Sequence, residues 1–155
     1  SRGLGDVYKR QVYGPYGRPD MSILRFIHWI INEEKVKVFG NGEQQRSFTY
    51  IKDVVDALRR MSGLENSHTF NVGSNITVSL NEVIKLIEEF SGKNANIENF
   101  ERAYKDPDVV RPNLEKINEA IGWEPTTKIQ DGIEKTVSWY KENEDYLKDL
   151  VYVNE

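Results

Sequence analysis

The sequence predicts an α/β chain in which short strands alternate with helices, an order that also admits an α+β description. Apolar residues recur at helical spacing in several stretches, and β-branched or aromatic runs of a few residues lie between them. Glycine, asparagine or proline marks most junctions. The strands are too few and too short for a complete doubly wound sheet.

Residues 1–11, SRGLGDVYKRQ, carry no periodicity, and the loop VYGPYGRPD follows them. Ser22 is the predicted N-cap of a helix with Ile23, Leu24, Phe26, Ile27, Ile30 and Ile31 at helical spacing. Val36–Phe39 reads as a strand stopped by Gly40-Asn41-Gly42. Phe48–Ile51 reads as a second strand, leading into Asp53 as N-cap of a helix that carries Val54, Ala57, Leu58 and Met61. Thr69–Val72 has the composition of a buried strand. Ser79-Leu80-Asn81-Glu82 is a capping box, and the helix it opens aligns Leu80, Val83, Ile84, Ile87 and Phe90 before Gly92 ends it. Ala95–Phe100 suggests another strand, and Asn113 the cap of a short helix that runs to Ile121 and closes at Gly122. A last helix, about Ile129 to Leu147, places Ile133, Val137 and Tyr140 on one face. Trp29, Trp123 and Trp139 fit core positions.

Composition excludes several classes of function. With 155 residues, 38% hydrophobic and 30% charged, the chain can bury a core without staples. It has no cysteine and two histidines, which removes thiol enzymes, iron–sulfur sites, zinc fingers and disulfide scaffolds. A balance of 21 basic against 25 acidic residues does not suit a nucleic-acid binder. No apolar run is long enough for a membrane span and no signal peptide opens the chain, so a cytoplasmic location is expected.

Chemistry is sparse. Gly40-Asn41-Gly42 reads as a plain turn or as a cradle for phosphate. Arg46 and Arg18 each read either as solvated surface cations or as bidentate clamps for a phosphate or carboxylate. Asp106 and Asp108 flank Pro107 as in an ordinary turn, and His28 and His68 each stand alone. No G-x-G-x-x-G or G-x-x-G-x-x-G fingerprint, P-loop, G-x-S-x-G or Tyr-x-x-x-Lys is present, so no catalytic constellation can be drawn.

From Val12 to about Tyr146 the sequence resembles the C-terminal half of the extended short-chain dehydrogenase/reductases that epimerise or dehydrate nucleotide sugars. Val12-Tyr13-Gly14-Pro15 resembles a family loop. The run from Val38 to Gln44, followed by Arg46-Ser47-Phe48-Thr49-Tyr50-Ile51 and Asp53-Val54, resembles the V-F-G-D-G-x-Q-x-R-D-F signature and its continuation. Phe70-Asn71-Val72-Gly73, Gly122-Trp123-x-Pro125, Gly132 and Trp139-Tyr140 follow in family order. Gly17-Arg18-Pro19-Asp20-Met21 is similar to the UDP-glucuronate 4-epimerase branch.

The resemblance implies the substrate-binding part of an extended Rossmann-type enzyme, with a UDP-sugar as ligand. It implies that Arg46 contacts the nucleotide diphosphate, that Phe39 and the backbone near Lys37 receive the base, and that Arg102 faces the diphosphate. It implies that Arg18 reads the sugar carboxylate. The parent enzyme would bind NAD, remove the proton of the sugar 4-hydroxyl with a tyrosine while hydride leaves C4, and form a homodimer through its N-terminal half. Neighbouring activities in the family are UDP-glucose 4-epimerase, 4,6-dehydratase and UDP-glucuronate decarboxylase; a non-catalytic binding module is the reading from another class.

The departures from the family shape the remaining expectations. Lys9 and Arg10 stand where relatives have an apolar strand, so residues 1–11 read as a foreign segment, 12–147 as the nucleotide-sugar-binding unit and 148–155 as a tail. The NAD site and the Tyr/Lys pair lie upstream in the family, so neither NAD binding nor turnover is expected of this chain by itself. Missing sheet neighbours would leave Ile27, Ile31 and Phe90 exposed.

Overall fold

A computed structural model describes residues 11–66, 68–101 and 107–147. The expectation that residues 1–11 stay out of the core falls outside them, apart from Gln11, whose carbonyl accepts the Thr49 N–H at 2.9 Å. Arg102 and the 148–155 tail lie outside the described residues as well.

The elements are β1 (Val12–Tyr13), α1 (Ser22–Ile31), β2 (Lys35–Phe39), β3 (Gln45–Arg46), β4 (Thr49–Tyr50), α2 (Ile51–Met61) and β5 (Val78–Ser79). They continue with α3 (Leu80–Ser91), β6 (Asn96–Phe100), β7 (Val109–Val110), α4 (Glu115–Ile121), α5 (Ile129–Glu142) and α6 (Glu144–Leu147). Strands form three small sheets: β1 parallel to β4, β2 parallel to β6, and β3 between antiparallel β5 and parallel β7. The mixed α/β class with short strands is as the sequence predicts.

Three helices make the main core. α1, α3 and α5 pack Ile23, Ile27, Ile30, Val83, Ile87, Ile133 and Val137 together, and β2 adds Val36 and Val38 from its inner face. This corrects the expectation of an open apolar face: Ile27 is 0% exposed, and Ile31 and Phe90 are partly buried against the same cluster. The three helices cover one another without help from a further sheet. A second, smaller core joins Ala57, Ile117 and Trp123, with Phe70 and Val72 against it.

Capping follows the sequence where a side chain can reach and departs where burial competes. Ser79 and Glu82 form the reciprocal box, and Gly92 and Gly122 close their helices at φ 74° and 60°. Ser22 is not a cap: Met21 holds the N-cap position of α1 with no side-chain bond, because its own side chain is buried at 6% exposure and sets the entry of the chain. Asp53 is not a cap either. Helix α2 begins at Ile51, which shortens the second predicted strand to Thr49–Tyr50. The buried Asp53 carboxylate instead accepts from the Thr127 N–H at 3.1 Å and from the Thr126 and Thr127 hydroxyls, tying α2 to the segment before α5. Leu58 does not join a core; it is 58% exposed. Asn113 is not the cap: Leu114 holds the N-cap position of α4 with no side-chain bond, although Asn113 Oδ1 accepts the Glu115 N–H at 2.8 Å. Thr69–Val72 forms no strand, since no described strand pairs with it and an unpaired ladder has no energetic advantage. The last helix breaks at Asn143, whose side chain bonds the Trp139 carbonyl. Trp29 and Trp123 are core residues, while Trp139 is only partly buried.

His28 couples two of the core helices. Its Nδ1 lies 2.7 Å from the Tyr140 hydroxyl and its Nε2 3.4 Å from a Glu34 carboxylate oxygen. Burial holds the imidazole below its ordinary pKa, with Glu34 opposing. The unfolded chain therefore takes up the proton first, and stability is lost as pH falls through the unfolded value. Urea midpoints should decline between about pH 7.5 and 5.5, and His28→Gln should flatten that slope. An identical slope in the variant would remove His28 as its source.

Candidate functional site

Two loops carry the residues singled out from sequence. One begins at the shared end of β2 and β6. Phe39 and Phe100 are the last register pair there, with ring centroids 5.7 Å apart, and both rings are more than a third exposed. The alternation of β2 puts Lys37 on the same face as Phe39 while Val36 and Val38 go to the core.

The chain then turns sharply. Gly40 N–H donates to the Phe100 carbonyl at 2.8 Å, and Gln44 Nε2 donates to the Phe39 carbonyl at 2.9 Å. Gly42 sits at φ 77°, and a Cβ there would lie 2.0 Å from the Asn81 side chain, so this turn needs glycine. It delivers β3 alongside β7. Arg46 Nη1 donates to the carbonyls of Gln45 at 2.7 Å and Pro107 at 3.0 Å, which fixes the guanidinium at the β3–β7 edge. The structure thus gathers Phe39, Lys37 and Arg46 around one turn and adds Phe100, which sequence reasoning passed over; its exposed aromatic position at a strand end was the available signal.

The other loop spans residues 14–20. Gly14, at φ 139°, leaves no room for a Cβ, which would lie 2.5 Å from Ile51 Cγ2. Arg18 follows with its side chain 59% exposed and bound in a fork by Asp20, Nε to Oδ1 at 3.0 Å and Nη2 to Oδ2 at 2.6 Å. Tyr16, unmarked in the sequence, takes φ 59° and is 78% exposed. The two loops flank one small sheet, because β1 leads into the Arg18 loop and its partner β4 follows just after Arg46.

A groove of about 460 Å³ lies elsewhere, lined by Asn75, Arg111, Pro112, Asn113, Glu115 and Asn118 among others. It was not legible in sequence, since its walls come from distant segments.

Burial pushes the Tyr13 phenol above its ordinary range. His68 contacts the Glu65 carbonyl, and no metal-binding cluster of His, Asp or Glu occurs among the described residues. NAD does not fit the described residues. Helices α1, α2 and α5 open at Met21, Tyr50 and Lys128 without a glycine turn, and the start of α3 is filled by its own Glu82. No described helix is long and apolar enough to cross a membrane.

The candidate residues thus sit on a rigid turn bearing Arg46 and the Phe39–Phe100 pair and on a separate loop bearing Arg18. The chain belongs to the NAD-dependent epimerase/dehydratase family, matching over residues 10–136 the family model described as GDP-mannose 4,6 dehydratase. It is 39% identical over 142 residues to a UDP-glucuronate 4-epimerase of Thermodesulfobacterium geofontis, covering 90% of this chain and 43% of that protein. UDP-glucuronic acid decarboxylase 2 of Arabidopsis thaliana is 30% identical over 143 residues, covering 88% and 32%. The structure of UDP-glucuronic acid 4-epimerase from Bacillus cereus in complex with UDP-glucuronic acid and NAD superposes with a TM-score of 0.79 at 27% identity, covering 85% and 43%. This chain therefore spans less than half the length of these relatives.

Proposed function

We propose that the chain is the nucleotide-sugar-binding part of an NAD-dependent UDP-glucuronate 4-epimerase, an enzyme interconverting UDP-glucuronate and UDP-galacturonate. Arg46 anchors the diphosphate, the Phe39–Phe100 pair and the neighbouring Lys37 receive the base, Arg102 is assigned to the diphosphate, and Arg18 reads the sugar carboxylate. The observation that carries this reading is the Arg18–Asp20 fork on an exposed loop. An exposed ion pair of this kind is worth only about 0–1 kcal/mol, so a sugar carboxylate can exchange for Asp20 at little cost. The guanidinium is already held in the bidentate geometry that a second carboxylate needs.

The chain's own residues bind and orient. Holding the nucleotide at Arg46 leaves the sugar free to present either face, which a 4-epimerase requires. A UDP-glucuronate decarboxylase is the second reading, favoured by the Arabidopsis relative; it needs the same carboxylate contact. Calorimetric titration of the chain with UDP, UDP-glucose and UDP-glucuronate tests the assignment. All three should bind, UDP-glucuronate most tightly. Equal affinity for the two sugars would remove the uronate assignment, and no binding of UDP would remove the nucleotide site.

A further inference from the structure

We propose that Tyr16 is the positioning residue of the Arg18 loop, its ring seated on Trp139 so that residues 14–20 hold one conformation. The inference rests on the proposed role of Arg18 only for what that loop binds.

Tyr16 has φ 59°, a region that a bulky L-residue enters only under constraint. Such strain persists when surrounding contacts over-determine the backbone. Tyr16 is 78% exposed, so burial in a core does not supply the constraint. The turn closed by the Gly17 N–H and the Gly14 carbonyl brackets Tyr16, and its ring packs on the Trp139 ring, 5.0 Å away between centroids and tilted by 52°, a favourable aromatic geometry. Trp139 is a firm platform. It lies on α5, whose Val137 and Tyr140 are buried in the main core, and its carbonyl is held by Asn143. Its indole N–H is buried with no hydrogen-bond partner, so packing holds the ring in place.

Arg18 sits between this stack and a second anchor. The Gly17 N–H donates to the Gly14 carbonyl at 3.2 Å, and the Met21 N–H to the Arg18 carbonyl at 3.0 Å, with the Met21 side chain buried. Upstream, Gly14 is pinned against Ile51. Of these anchors Tyr16 carries the backbone strain, so removing its ring releases the loop between two fixed ends.

The test compares Tyr16→Phe with Tyr16→Gly in the full chain. Glycine accepts φ 59° freely, so the backbone stays allowed while the stack is lost and the loop gains backbone freedom. Tyr16→Phe should match the original protein. Tyr16→Gly should speed hydrogen exchange of the Gly17 and Met21 amides by about tenfold or more while α3 amides keep their protection. The ratio of UDP-glucose to UDP-glucuronate dissociation constants should fall by about tenfold, with UDP affinity unchanged. Unchanged exchange in Tyr16→Gly overturns the positioning role. Faster exchange with intact sugar selectivity, or an equal loss of UDP affinity, overturns the link to Arg18. If the original chain does not distinguish the two sugars, the carboxylate reading fails, while amide exchange still decides Tyr16.

Discussion

Arg18→Ala should lower the preference for UDP-glucuronate over UDP-glucose by about 10- to 150-fold, the loss of a charge-assisted Arg–carboxylate contact worth about 1.5–3 kcal/mol. The side chain is 59% exposed and forked to Asp20 on the same loop, away from the buried core. Arg46→Ala should act differently. On the proposed reading its guanidinium holds the nucleotide that the two UDP-sugars share, so both should weaken alike. Dissociation constants for the two sugars on both variants separate sugar reading from nucleotide anchoring, and kcat/KM in the chain joined to an N-terminal half of a relative extends the comparison to turnover. Equal losses for both sugars in Arg18→Ala would reduce the Gly17–Met21 motif to a loop-shaping device.

Ile27→Ala should destabilise the chain by about 2–5 kcal/mol, the range for truncating a fully buried aliphatic side chain whose cavity cannot collapse. Ile27 is 0% exposed and lies in the cluster that α1, α3 and α5 build together. Urea unfolding at neutral pH measures the loss. A change within about 0.5 kcal/mol would mean that Ile27 faces solvent. The same measurement decides between the open helix face expected from sequence and the closed three-helix core.

Sequence reading succeeded where the signal is local. The Ser79–Glu82 box, the glycine stops at Gly92 and Gly122 and the strand ending at Phe39 each depend on residues within one turn or one strand. The Gly40–Gly42 turn was legible for the same reason. Of the candidate site, Phe39, Lys37 and Arg46 lie within ten residues of one another, and their gathering follows from that turn. Phe100 joins them only because β6 pairs with β2 in register across the whole of α3.

Where reading and structure part, a long-range contact outweighed a local preference. Asp53 has the chemistry of a cap, but Thr126 and Thr127 offer its carboxylate three donors in a buried setting, and a buried charge is stable only when so paired. Met21 displaces Ser22 at the start of α1 because burying its side chain fixes the chain entry. Thr69–Val72 has strand composition, yet a strand exists only with a ladder partner. The amino-acid sequence by itself determined the class of fold, the helix boundaries set by local capping and the family likeness. Tertiary structure alone decided that Ile27 is covered, that Asp53 is a cross-link and that Tyr16 sits strained against Trp139. Each of these depends on residues far apart in the chain, and burial and pairing across such distances outweigh the smaller energies that local patterns express.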